Sequence, residues 1–406
     1  MFKSALKEYA QTIVENAHQT IGYNILITDE KGVILGTNQK ERLGSLHSHS
    51  LHVIDCGLPE SISETKAERY KVEKGICLPI WLGNKKIGTV AISGDPAEVT
   101  KFGHLVQKET ELFLNEKLSQ EMLFVKRNAV FNLVNQLIAY DERDRNESFL
   151  VSQAESLGYN LSHRKKVILV DILKFKDIVN KITAEEAYPH DAEFRIQTVK
   201  TIILNLIREV YCSPDDIISN LGSDKYIIIY DIPDYPSEYD SNQIREKSNQ
   251  LVKKLEANGY ISVIGTGYLA KSMKDIKNSF RSAWDTINIE KRLYSSYGAY
   301  NITDFLLEEL LLSGDRDKVK LYIDKNLSIF NNSKIWNEEL ELTLREWLAN
   351  PLQPGEVAKK LNIHRNSLYY RIERLNKLLS VDLKNIDDLF KIKISILLRD
   401  LYYKKN

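Results

Sequence analysis

The sequence predicts an α+β protein of several domains: two mixed helix–strand regions followed by an all-α region. Up to about residue 300, hydrophobic patterns with the helix period alternate with patterns of the strand period. Beyond it, only helical patterns remain. The length of 406 residues exceeds what one hydrophobic core ordinarily organises. We place the domains at 1–118, 119–300 and 301–406, with a helix-turn-helix pattern at 354–377.

The first region opens with Leu6, Ala10, Ile13, Val14 and Ala17, spaced by three and four as on one helix face. Residues 24–29 read as a strand, Glu30-Lys31-Gly32 as a turn, and 33–37 as the hairpin partner. Residues 41–55 predict a short helix and loop. Residues 76–81 and 87–93 predict two strands joined through Leu82-Gly83-Asn84-Lys85. A mixed antiparallel sheet of this size predicts a sensory domain of the PAS or cache type.

Residues 98–140 hold no proline and one glycine, Gly103. They predict one long helix, or two in tandem, with an apolar stripe of Leu105, Val106, Leu112, Phe113, Leu123, Val130, Leu133, Val134, Leu137 and Ile138. Two readings stay open: a core helix, or a signalling helix that dimerises in coiled-coil fashion. The polar residues from 141 to 165 mark a boundary. A second α/β region follows, with strands at 166–172, 216–219, 226–230 and 261–268 and helices at 191–210, 242–257 and 274–293.

The C-terminal region predicts helices at 337–349 and 387–403, with PGEVAKKLNIHRNSLYYRIERL between them. Ala358 supplies the small residue where two helices cross closely. Val357, Leu361, Ile363, Leu368 and Ile372 supply the apolar contacts, and Asn362-Ile363-His364 the tight turn. Asn362 stands where glycine is common, but asparagine tolerates left-handed backbone. The second helix would offer Arg365, Asn366, Ser367, Tyr369, Tyr370, Arg371 and Arg374, with His364 at its start. Its first residues would meet base edges, arginine suiting guanine and asparagine adenine. Lys359, Lys360, Arg374 and Lys377 would meet phosphates. Glu356 and Glu373 are the acids within residues 354–377, against six Lys or Arg residues. These features predict double-stranded DNA as a partner.

Whole-chain charge hides that patch, because 56 basic residues balance 56 acidic ones. Phosphate attraction depends on the local field, so neutrality does not argue against a DNA-reading head. Cys56, Cys77 and Cys212 lie far apart without CxxC spacing, which predicts a reducing compartment. The first residues lack a continuous apolar core, and no window reaches the ~18 apolar residues of a membrane span. A cytoplasmic protein without membrane association is expected. No Walker loop, GxGxxG or Ser/His/Asp arrangement appears, and no cofactor is expected.

The run IHRNSLYYRIERL resembles the helix-turn-helix of the purine-catabolism-regulator type. IGYNILITDEKGVILGT, ERLGSLHSHS, GICLPIWLGNKKIGTVAISGDP and KFGHLVQKETELFL resemble the sugar diacid recognition domain. Together they make the chain similar to the carbohydrate diacid regulators, a family of bacterial transcription factors. The resemblance implies an activator of sugar-acid uptake or catabolism genes that answers glycerate, glucarate or galactarate, and not an enzyme. The middle region resembles the degenerate GGDEF-like domain of that family, with Asn220-Leu-Gly-Ser-Asp-Lys-Tyr226 at its signature turn. Leu221 and Ser223 to Lys225 do not supply the glycine and acidic pairs of a cyclase. A signalling enzyme built on this region and a protein-binding adaptor are the other readings. One helix-turn-helix per chain predicts a homodimer or higher homo-oligomer.

An acidic sugar ligand calls for a cation and backbone N–H donors in a pocket. Arg42 would clamp a carboxylate, Leu43 and Gly44 would allow a close backbone approach, and His47 would donate to it. Gly75, Ile76, Cys77 and Leu78 would present strand-edge amides on the opposite wall. His47, His49 and His52, with Asp55 nearby, invite a metal reading, but no second spaced cluster accompanies them and no metal is expected.

Overall fold

A computed structural model describes residues 2–141, 143, 146–232, 239–331 and 335–404. The chain parts into two compact units, 1–128 and 129–406.

The first unit begins with α1 (Phe2–Ile21), followed by β1 (Ile25–Asp29), β2 (Ile34–Thr37), α2 (Ser48–Cys56), β3 (Glu60–Ile62) and α3 (Glu64–Tyr70). β4 (Gly75–Leu82) and β5 (Lys85–Ser93) form a hairpin, and α4 (Pro96–Ala139) leaves the unit. The strands make one antiparallel sheet in the order β2-β1-β5-β4-β3. Strand alternation divides its side chains between two cores. Ile25, Ile27, Ile76, Leu78, Val90 and Ile92 face Leu6, Ala10 and Val14 of α1 and Val99, Val106, Leu114 and Leu118 of α4. Leu26, Ile34, Cys77 and Ala91 face Val53 of α2 on the other side. Gly36 lets α1 lie against β2, since a Cβ there would stand 2.5 Å from the Ala10 carbonyl.

The second unit takes in the end of α4, then α5 (Glu147–Ser156), β6 (Arg164–Ile172), α6 (Phe175–Glu185), α7 (Pro189–Val210), β7 (Ile217–Asn220) and β8 (Lys225–Ile232). α8 (Tyr239–Ala257), β9 (Ser262–Ala270), α9 (Ile276–Leu293) and β10 (Gly298–Asn301) complete its sheet, ordered β10-β9-β6-β8-β7. One face is covered by α4, α5 and α9 through Leu133, Leu137, Leu150 and Ala283. The other is covered by α7 and α8 through Ile203, Ile207, Ile244 and Leu251.

Six helices close the chain: α10 (Leu306–Leu312), α11 (Arg316–Leu327), α12 (Glu338–Ala349), α13 (Pro354–Lys360), α14 (Arg365–Leu379) and α15 (Ile386–Tyr403). They share a core around Leu344, Trp347, Leu368, Ile372 and Ile392. The Trp347 indole donates to the Leu383 carbonyl at 2.9 Å. This bundle joins the central sheet region through Arg292, which donates to the Leu401 carbonyl, and through Ile289, Ile302 and Phe305 packed with Leu401.

Several expectations need correction. The boundary expected at 118/119 lies within α4, as does the division at 128/129, and the one expected at 300/301 falls inside β10. The polar stretch 141–165, read as a boundary, contains α5, which buries Leu150 and Ala154 in the central core. Residues 142, 144 and 145 of that stretch lie outside the described residues. Of the first five residues of the expected α4 stripe, Leu105, Leu112 and Leu123 are exposed, Phe113 is half-buried and Val106 is buried. Polar side chains share the buried face with Val99, Val106, Leu114 and Leu118. Gln107 donates to the Pro79 carbonyl, and Glu111 accepts from the Trp81 amide at 2.9 Å. No helix among the described residues is long and apolar enough to cross a membrane.

Candidate nucleic-acid interface and ligand site

The interface is built on α13 and α14. Pro354 opens α13, where its missing N–H costs no intrahelical bond. The helix ends in a left-handed Asn362, at φ 54°, and Ile363 donates back to the Ala358 carbonyl at 3.0 Å. This Schellman closure turns the chain within a few residues. His364 then caps α14, its Nδ1 accepting from the Asn366 amide at 3.2 Å. Val357, Ala358, Leu368, Ile372 and Leu375 are buried, so the crossing of the two helices is fixed by packing.

Packing of Leu368, Ile372 and Leu375 turns the opposite face of α14 to solvent. Lys359, Lys360, His364, Arg365, Asn366, Ser367, Tyr370, Arg374 and Lys377 are all exposed. Lys359, Arg365, Arg374 and Lys377 form no ion pair with a carboxylate among the described residues. Lys360 is less free, with Glu346 at 3.6 Å. Arg371 is corrected: it turns towards α12, pairs with Glu339 and reaches the Thr343 hydroxyl at 3.3 Å. Its position flanks the buried stripe, so the guanidinium is committed within the bundle. Tyr369 is half-buried beneath two cations, Arg365 at 5.8 Å and Lys384 at 5.9 Å from the ring centroid. Lys384 escaped the sequence reading because it lies beyond the motif, in the α14–α15 loop.

The expected ligand site is only partly assembled. Arg42, in a 3₁₀ turn, donates to Gln39 at 2.9 Å, and Gln39 in turn donates to Glu73 at 3.0 Å. Burial works against the Glu73 carboxylate. Hydrogen bonds from Gln39, Ser93 and Asn24 and the Arg42 charge outweigh it, and its pKa is lowered. Leu43 is exposed, and Gly44 adopts φ 78° with its amide already donating to the Ile34 carbonyl at 2.9 Å. His47 is buried, with Nδ1 2.7 Å from the Ser50 hydroxyl, which continues to Thr89 at 2.6 Å and Thr28. Burial, reinforced by the Arg42 charge, pushes the imidazole down to about 4.

The second wall does not form as expected. Gly75, Ile76 and Cys77 are paired with β3 on one side, and Gly75 to Leu78 with β5 on the other, so β4 is not an edge there. Ile76 and Leu78 face the α1–α4 core. Of these four residues Cys77 alone meets the His47 network, its sulfur 3.8 Å from the Ser50 hydroxyl, and burial pushes its thiol up to about 12. The three-residue β3 that covers the edge was too short to show alternation. His49 and His52 each place Nε2 3.4 Å from Glu60, which also pairs with Lys66. No group of three or more His, Cys, Asp or Glu among the described residues is arranged to hold a metal.

In the central sheet, Asp171 is buried at the end of β6 between two ammonium groups, Lys291 at 3.1 Å and Lys225 at 3.6 Å. Lys225 also pairs with Asp224 at 3.0 Å in the turn before β8. Both carboxylates are therefore charge-paired within the central region.

Comparison with known proteins agrees with both ends of the chain. Residues 6–137 match the family described as "Putative sugar diacid recognition". Residues 340–398 match the PucR C-terminal helix-turn-helix domain. The Carbohydrate diacid regulator of Escherichia coli (strain K12) is 26% identical over 394 residues, covering 95% of this chain and 96% of that protein. The Purine catabolism regulatory protein of Bacillus subtilis (strain 168) is 24% identical over 139 residues, covering 34% of this chain and 26% of that protein. The chain thus carries a sugar diacid recognition domain ahead of a PucR-type helix-turn-helix, the arrangement of a DNA-binding transcription regulator, and is similar along nearly its whole length to a carbohydrate diacid regulator.

Proposed function

We propose that this chain is a ligand-controlled transcription activator that senses a small hydroxy acid or sugar diacid and reads DNA as a homodimer. The observation that carries the reading is the exposed cationic face of α13 and α14, where Lys359, Arg365, Arg374 and Lys377 pair with no carboxylate among the described residues, in a chain that also bears a sugar diacid recognition domain. Glycerate, glucarate and galactarate are the effector class, and genes for sugar-acid uptake or breakdown the targets; the name of the Escherichia coli relative, a carbohydrate diacid regulator, supports a diacid among these. Such work belongs in the cytoplasm, where DNA is accessible.

The N-terminal sheet, ordered β2-β1-β5-β4-β3 with helices on both faces, supports a PAS-like sensory domain. Arg42 and His47 are the residues assigned to the effector, with Cys77 beneath them. The central sheet supports a GGDEF-like domain without cyclase chemistry, because Leu221 and Ser223 to Lys225 do not supply the glycine and acidic pairs. An effector acts by favouring one conformation over another.

A thermal-shift screen of the full chain against the three acids tests the effector assignment. A ligand at about a hundred times its Kd should stabilise the folded state by about 2.7 kcal/mol. No shift with any of them would remove this effector class and leave the DNA reading standing.

A further inference from the structure

We propose that Tyr369 is a positioning residue that holds two DNA-contacting cations, Arg365 on α14 and Lys384 on the loop after it, beside one aromatic ring. The inference rests on the DNA-binding reading and extends it beyond the helix-turn-helix proper.

Arg365 and Tyr369 lie four residues apart, so both fall on the same edge of α14. The Arg365 guanidinium stands 5.8 Å from the Tyr369 ring centroid, within the range of cation–π attraction. Lys384 reaches the same ring from a different element, at 5.9 Å. Its loop is tightly held. Val381 donates to the Asn376 carbonyl at 3.1 Å, Leu383 donates to the Asn376 side chain at 3.0 Å, and the Leu383 carbonyl receives the Trp347 indole. Leu383 itself is fully buried. The neighbouring Lys384 is therefore carried on a fixed backbone, although its side chain is exposed.

Neither cation is paired with a carboxylate among the described residues. Two like charges beside one ring repel each other, and an anion between or over them relieves that repulsion. A phosphodiester backbone crossing the start of α14 supplies such an anion. Arg365, held by the ring, then enters the groove in one orientation, while Lys384 meets the phosphates flanking it. Without the ring face, Arg365 samples many rotamers and loses discrimination between bases before it loses attraction to DNA.

The test uses the full chain and two probes: duplexes enriched from a randomised pool by the wild-type protein, and a scrambled duplex of equal composition. Tyr369→Phe keeps the ring face and should bind the enriched duplex within about twofold of wild type. Tyr369→Ala should weaken that binding about fivefold and leave the scrambled duplex nearly unchanged, so the specificity ratio falls. In the Arg365→Ala background, Tyr369→Ala should cost little more, because the two act as a unit. Lys384→Gln should weaken both probes alike and lower the salt slope by about one. If Tyr369→Ala binds the enriched duplex as wild type does, or Tyr369→Phe loses as much as Tyr369→Ala, the positioning role is overturned while DNA binding stands. If the wild-type chain enriches no duplex, the DNA-binding reading itself falls, and this inference with it.

Discussion

Replacing His47 with glutamine should remove a distinct acid sensitivity from the N-terminal unit. The imidazole is buried against Ser50, and burial together with Arg42 lowers its pKa from 6.5 to about 4. The unfolded chain therefore binds a proton between these values that the folded unit refuses. Stability from the neutral imidazole is present in full above pH 6.5 and is lost as the pH falls towards 4. At about 1.4 kcal/mol per pH unit, the full effect is about 3 kcal/mol. Hydrogen exchange of peptides covering β1, β4 and β5, corrected for intrinsic rates, reads this opening energy directly. His49 is also lowered by burial and adds with the same sign, so the difference between wild type and His47→Gln isolates His47. An opening energy that falls equally in both proteins between pH 7 and 4.5 would refute the assignment.

Two further outcomes follow from paired charges. Arg371→Ala breaks a partly exposed pair with Glu339, so it should cost about 0.5–1 kcal/mol of bundle stability. Its ratio of specific to scrambled DNA binding should stay at the wild-type value, as a competition gel shift would show. Asp231→Ala strands the fully buried Lys165, which pairs with Asp231 across β6 and β8. That should cost about 3–5 kcal/mol, visible as a lowered melting temperature of the central region, and a change under 1 kcal/mol would show that Lys165 finds other compensation.

Long elements with a steady hydrophobic period were legible in the sequence. α1, β4, β5, α7, β9 and α14 all declare themselves by spacing, and Asn362 announced a left-handed turn that the backbone adopts. β3 and α3 were not legible, because three residues cannot display alternation and ETKAERY has no apolar stripe. The first half of α4 misled for a different reason. Its buried face includes Gln107, Thr110 and Glu111, two of which bond the β4 backbone, so hydrophobicity alone took in the exposed Leu105 and Leu112 and missed these three. The exposed cationic positions of α13 and α14 were largely readable from the motif. Arg371 was not, because residue type cannot reveal that a guanidinium turns inward to a partner on another helix. Nor was Lys384, which approaches the site only through the fold. The ligand site was the least legible, since alternation along β4 sends Ile76 and Leu78 away from the His47 side.

The most direct test of the central claim is the salt dependence of binding between the full chain and its own upstream DNA. Lys359, Arg365, Arg374 and Lys377 are free to displace counterions, so log K should fall linearly with log salt, with a slope of about −4 or steeper for one reading head. Replacing all four by alanine should abolish binding while the melting temperature holds. Binding that is salt-independent, or that survives the fourfold replacement, would contradict the account.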